Sequence, residues 1–93
     1  MSMSPDVNLE TVRTYLRGCD PDLACEIVGI LQHSLTYGKD QSATYIVKQC
    51  EKCDPNSPIA QLLKKDKNYW PQVMTISDEV AEERKLNVER LYG

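Results

Sequence analysis

Three of the four dipeptides in which proline follows serine or aspartate divide this chain into segments of helical length. They are Ser4-Pro5, Asp20-Pro21 and Asp54-Pro55. Serine and aspartate cap helix N-termini, and proline is tolerated in the first turn because the amide it lacks would have no helical partner there. The sequence therefore predicts helices that begin near these steps, after a flexible N-terminal tail at residues 1–5.

Between these steps, apolar residues recur every three or four positions, as they do on one face of a helix. The clearest stripes are Leu9, Val12, Leu16 and Cys19; Leu23, Ile27, Ile30 and Leu31; and Ala43, Ile46, Val47, Cys50 and Cys53. The chain has no phenylalanine and only 4 glycines, which is poor material for a many-stranded sandwich. These features predict one all-α domain at residues 6–93, built as an array of about four to five helices.

The C-terminal part is predicted to hold a connector and a last helix. The stretch at residues 73–76 alternates like a strand but is too short and isolated to pair, so we interpret it as a connector packed on the core. Ser77 offers a cap, acids follow it at once, and basic residues come later, an order that suits the helix dipole. The prediction is a helix at residues 77–92.

Composition disfavours several classes of function. The net charge of −3 argues against nucleic acid as a partner, because binding it needs a basic footprint. No apolar stretch approaches the roughly 20 residues of a membrane span, so membrane insertion is not expected. The first residues lack the basic and apolar regions of a signal peptide. We therefore expect a cytoplasmic protein whose 4 cysteines stay reduced.

A short motif recurs in the chain at a fixed spacing. Cys19-Asp20-Pro21-Asp22 returns as Cys53-Asp54-Pro55-Asn56, and the step from position 19 to position 53 is 34 residues. That period is characteristic of one class of helical repeat, in which each unit is a helix–turn–helix. At the spacing of its pattern, the chain has Ile27, Ile30, Leu31, Ser34, Ala43, Val47 and Pro55.

Residues 24–57 therefore resemble a tetratricopeptide hairpin, and the chain would hold about one and a half repeats. Ile27, Leu31 and Ser34 stand where the family has tryptophan, glycine and tyrosine. Isolated repeats need neighbours to bury their faces, so the flanking helices are expected to cover the hairpin. In size and fold, the chain is also similar to the needle-subunit cochaperones of type III secretion.

The resemblance implies a binding groove on the concave side of the array. Its lining would be Cys25, Val28, Gln32, Leu35, Ile59, Leu62 and Tyr69. An apolar groove of this kind suits an amphipathic helix or an extended segment of another protein. In the alternative interpretation, the C-terminal helix fills the groove, and these residues belong to the core.

The leading functional hypothesis is thus a non-enzymatic interaction module, an adaptor or a small chaperone, without a cofactor. His33 is the only histidine and lacks a recognisable nucleophile partner, and there is no glycine-rich phosphate loop. One alternative is a thiol or zinc protein that uses Cys50 and Cys53, which form a Cys-x-x-Cys pattern. Another is a structural homo-oligomer that uses the same groove for a second copy.

Overall fold

The computed structural model describes residues 7–86, and within them it contains five α-helices and no strand, which confirms the all-α prediction. Two short 3₁₀ turns, Ser34–Thr36 and Lys67–Tyr69, join some of the helices. The predicted tail at residues 1–5 lies outside the described residues. The helices are α1 Leu9–Gly18, α2 Pro21–His33, α3 Lys39–Cys53, α4 Pro58–Lys65 and α5 Trp70–Glu83.

Side-chain caps fix where the first two helices begin. The first helix was expected near Ser4-Pro5, but α1 begins at Leu9 behind Asn8, whose side chain accepts a hydrogen bond of 3.0 Å from the Thr11 amide. The side chain of Thr11 accepts one in return from the Asn8 amide, so two otherwise unpaired donors are satisfied. The second helix begins as predicted, because Asp20 caps it and Pro21 occupies its first turn.

The second Asp-Pro step ends a helix but does not begin the next one. The α3 helix stops at Cys53, and the Asp54 side chain accepts a hydrogen bond of 3.0 Å from the Asn56 amide. This local turn delays the next helix to Pro58, where Ser57 provides the cap. The helix at this point therefore begins three residues after Pro55.

The prediction of a last helix at residues 77–92 is wrong in its start. The α5 helix begins at Trp70, with Pro71 in its first turn, and Ser77 is buried in its middle. The supposed connector is helical because Val73, Ile76 and Val80 are spaced to bury one face of a helix.

The same helix also ends earlier than predicted. Lys85 has a positive φ of 54°, and the amides of Lys85 and Leu86 donate to the carbonyls of Glu82 and Ala81. This is the hydrogen-bond pattern of a Schellman motif, which closes α5 at Glu83. Residues 87–92 of the predicted helix lie outside the described residues.

The helices share one apolar core, and the last helix closes it. The α5 helix packs against both α1 and α2, α3 packs against α2 and α4, and α1 also contacts α4. In an open array of repeats, each unit touches only its neighbours in sequence. The contact between α1 and α5 is not one that such an open array makes. The tetratricopeptide resemblance of residues 24–57 therefore stays a prediction. Within residues 7–86, no helix is both long and apolar enough to cross a membrane.

One polar contact joins α1 to the turn after α3. The Tyr15 hydroxyl donates a hydrogen bond of 2.8 Å to the partly buried Asp54 carboxylate. Because the acceptor is charged, we expect Tyr15→Phe to lower the free energy of unfolding by about 1–2 kcal/mol. Urea denaturation followed by circular dichroism measures this. Tyr37→Phe is the matched control, since Tyr37 is exposed; equal losses for the two variants would contradict the assignment.

Candidate partner-binding surface

The predicted groove does not exist as an open surface in the described chain. Val28, Gln32, Ile59 and Leu62 are all buried, so four of the seven predicted lining residues belong to the core. For Val28 and Gln32, the reason is the early start of α5, which gives this helix the length to pack along α2, as in the alternative interpretation in which the C-terminal helix fills the groove. Ile59 and Leu62 lie on α4, which packs against α3 and α1.

The other three predicted residues are more exposed than these four. Leu35 is 42% exposed, in the turn after α2. Cys25 and Tyr69 are half-buried, and Tyr69 packs against the core. The seven residues therefore do not line one open surface.

An open groove lies instead between α3 and α4, on the outer side of the α3 helix. Its volume is about 410 Å³. Ala43 and Leu63, which are almost fully buried, and the half-buried Val47 supply its apolar floor. The groove is open because α4 has only 8 residues against 15 in α3, so the shorter helix leaves part of its neighbour uncovered.

The rim of this groove carries charged side chains. Lys48 lies on α3, while Lys64 and Lys67 approach from α4 and the turn after it. Glu51 on α3 forms an ion pair with Lys64 on α4, so one carboxylate already bridges the two helices at the groove. Both side chains of this pair are more than one-third exposed, and its contribution to stability is therefore small.

A second depression of about 360 Å³ continues along the same face of α3 towards its N-terminal end. Tyr37, Gln41, Thr44, Tyr45 and Lys48 line it, and Thr44 and Lys48 also line the first groove. The ring centroids of Tyr37 and Tyr45 lie 5.1 Å apart, and the ring centroid of His33 lies 5.4 Å from that of Tyr45. Tyr37 is 40% exposed, and it is one of the few large apolar side chains of the described residues that remain exposed.

We call this continuous area the α3 surface. It is defined by Tyr37, Thr44, Val47, Lys48, Leu63 and Lys64. The sequence did not predict this surface, because Ala43 and Val47 continue an apolar helical stripe, and such a stripe indicates a buried face whatever the length of the neighbouring helix. The one sign of an open surface in the sequence is that a polar residue directly follows each of these apolar ones, Thr44 after Ala43 and Lys48 after Val47.

The Cys-x-x-Cys pair sits in surroundings that disfavour reactive thiols. Cys50 is 1% exposed, and its burial raises the pKa of the thiol from 9.0 to about 12. Burial also raises the pKa of Cys53, and the neighbouring Glu26 carboxylate acts in the same direction. Reactive cysteines have lowered pKa values, because the thiolate is the nucleophile and the metal ligand. Within residues 7–86, no three histidine, cysteine, aspartate or glutamate side chains gather as a metal site requires.

Comparison with known proteins identifies no family or relative for this chain. A scan against models of protein families finds no match for this chain, and neither curated proteins nor solved structures show a significant similarity to it.

Proposed function

We propose that this protein is a non-enzymatic interaction module that binds a segment of another protein on the α3 surface. The observation that carries the proposal is the open apolar groove between α3 and α4, continued by the exposed ring of Tyr37. An apolar, concave floor with a tyrosine ring exposed beside it is the arrangement that interaction sites commonly use.

The shape of the α3 surface suits a polypeptide better than a small molecule. Sites for small molecules enclose most of the ligand's surface, whereas this area is a shallow trough along one helix. Tyrosine supplies large contact area at low entropy cost and is enriched among the residues that dominate binding energy. An amphipathic helix laid along α3 would cover the apolar floor and leave its polar face in water.

The proposed role is still that of an adaptor or small chaperone, but the proposed binding site is the α3 surface instead of the predicted groove. The tetratricopeptide resemblance of residues 24–57 supports it to the extent that such repeats serve as scaffolds for protein binding. The similarity in size and helical build to needle-subunit cochaperones of type III secretion suggests an aggregation-prone helical partner. A cytoplasmic location is part of the same proposal.

Photo-cross-linking tests the location of the binding surface. A benzoylphenylalanine placed at Thr44, where the two depressions meet, is expected to form an adduct with one partner protein in lysate of the native source. The control position is Thr14, which is exposed on α1 outside the α3 surface. Adducts of equal yield at both positions, or no adduct at Thr44, would contradict the proposal.

The partner that mass spectrometry identifies in the adduct is then purified and tested for direct binding. Val47→Asp places a charge on the apolar floor, and we expect it to weaken binding about tenfold or more. Thr14→Asp is the matched control and is expected to leave the affinity unchanged. Circular dichroism of both variants establishes whether each is folded. A folded Val47→Asp variant with unchanged affinity would contradict the proposal.

A further inference from the structure

We infer that the segment bound on the α3 surface is acidic and amphipathic, with carboxylates that pair with Lys48 and Lys64 and an apolar face that covers Val47. This inference rests on the proposed function and adds the chemical class of the partner. Its basis is the unequal distribution of charge over the folded chain.

Basic groups of the described chain occur in unlike surroundings. At the contact of α1 with α5, Arg13 pairs with Glu79 at 2.9 Å and Arg17 pairs with Glu83 at 3.0 Å. The groove between α3 and α4 is lined by three lysines and one acidic residue, namely Lys48, Lys64, Lys67 and Glu51. In a chain with a net charge of −3, this groove is thus a local basic site, and complementary potential would direct an acidic segment to it.

The ion pair between Lys64 and Glu51 shows that a carboxylate fits at the edge of the groove. Glu51 lines the groove together with Lys48 and Lys64, so it occupies a place that a carboxylate of a partner would take. Because the pair is exposed, exchanging one carboxylate for another needs little energy. Glu51 therefore acts as an internal competitor of the incoming segment.

The dimensions of the floor set the length of the contact. Positions 43 to 51 of α3 rise about 12 Å, which is a little more than two helical turns. Two or three apolar residues at helical spacing cover such a floor, and acidic residues on either side of them reach the two lysines. The expected segment is therefore short, with alternating apolar and acidic positions in a helical pattern.

Fluorescence anisotropy with designed peptides tests the charge of the segment. The probe is a labelled amphipathic peptide of the length of α3, 15 residues, with leucine on one face and glutamate on the other. Two further peptides carry glutamine or lysine in place of every glutamate. We expect the acidic peptide to bind about tenfold tighter than the glutamine peptide at low salt and to lose most of this advantage at high salt.

Paired charge reversals locate the effect on the protein. Lys48→Glu with Lys64→Glu is expected to weaken binding of the acidic peptide about tenfold or more. Lys52→Glu with Lys65→Glu changes the net charge by the same amount at exposed positions that do not line the groove, and it should change the affinity less than about twofold. Glu51→Gln removes the internal competitor, so it should tighten binding about twofold to fivefold.

The possible results separate the inference from the function on which it depends. Equal affinity for the acidic and glutamine peptides, with loss of both on Val47→Asp, would overturn the acidic class but keep the α3 surface as a binding site. Failure of every peptide, together with no adduct at Thr44, would overturn both. A dimer that sediments intact in the wild type and is lost in the Lys48→Glu, Lys64→Glu variant would assign the surface to a second copy and overturn the inference.

Discussion

Replacement of Val28 and Leu62 by aspartate together is expected to leave the protein unfolded at 25 °C. Both side chains are 1% exposed and belong to the core between the helices. An uncompensated charge in such a place lowers the free energy of unfolding by about 3–5 kcal/mol, and two of them approach the whole stability of a small domain. The protein also has little surplus to lose, because a chain of this length buries a modest fraction of its surface.

The control for this prediction uses the same substitution at exposed apolar positions. Leu35→Asp with Tyr37→Asp is expected to keep the helical circular dichroism spectrum and to lower the free energy of unfolding by less than about 1 kcal/mol. If the Val28→Asp, Leu62→Asp variant were folded and monomeric, the two residues would line an open groove after all. The description of both residues as part of the core would then be wrong.

Raising the pH above about 9 is expected to destabilise the protein steeply. Burial raises the pKa of Cys50 from 9.0 to about 12, and burial with the hydrogen bond to Asp54 raises the pKa of Tyr15 above its usual range. The folded protein holds both groups neutral, while the unfolded chain ionises its cysteine near pH 9 and its tyrosine near pH 10. The stability that these groups contribute is complete below pH 9 and is lost as the pH rises from 9 towards 12.

Urea denaturation between pH 7 and pH 11 measures this loss. For Cys50 alone, we expect the free energy of unfolding to fall by about 1.4 kcal/mol per pH unit above pH 9. Cys50→Ala lowers stability at pH 7 by creating a small cavity, but its stability should fall less steeply with pH than that of the wild type. Cys25→Ala is the control, because Cys25 is only half-buried. Parallel pH profiles for the wild type and Cys50→Ala would contradict the assignment.

The helical fold follows from local features that are visible in the sequence. The Asp20-Pro21 step marks the start of α2 because a capping side chain and a proline act within one turn. The same kind of step at Asp54-Pro55 predicts the end of α3 but not the start of α4. There, the Asp54 side chain bonds to the Asn56 amide, and Ser57-Pro58 provides the actual helix start. The two capping signals at Asp54 and Ser57 therefore compete for the start of the helix. The hydrogen bond from Tyr15 to Asp54 is a tertiary contact that favours the observed turn.

The sequence did not predict the α3 surface or the burial of Val28, because both depend on where neighbouring helices begin and end. Because α5 begins at Trp70 rather than at Ser77, it packs along α2, and Val28, which the repeat pattern alone placed in a groove, is buried. Once α4 stops at Lys65, the outer side of α3 around Val47 stays open. Helix periodicity identifies apolar faces, but it does not say which neighbour covers them.

The most direct test of the α3 surface is a two-dimensional ¹H–¹⁵N NMR titration of the labelled full chain with the acidic amphipathic peptide. We predict that the largest chemical-shift changes fall on Tyr37, Thr44, Val47, Lys48, Leu63 and Lys64, which define the surface. The amides of α1 should hardly move. Changes centred on Arg13 and Glu79 at the α1–α5 side, or no changes at saturating peptide, would contradict the account.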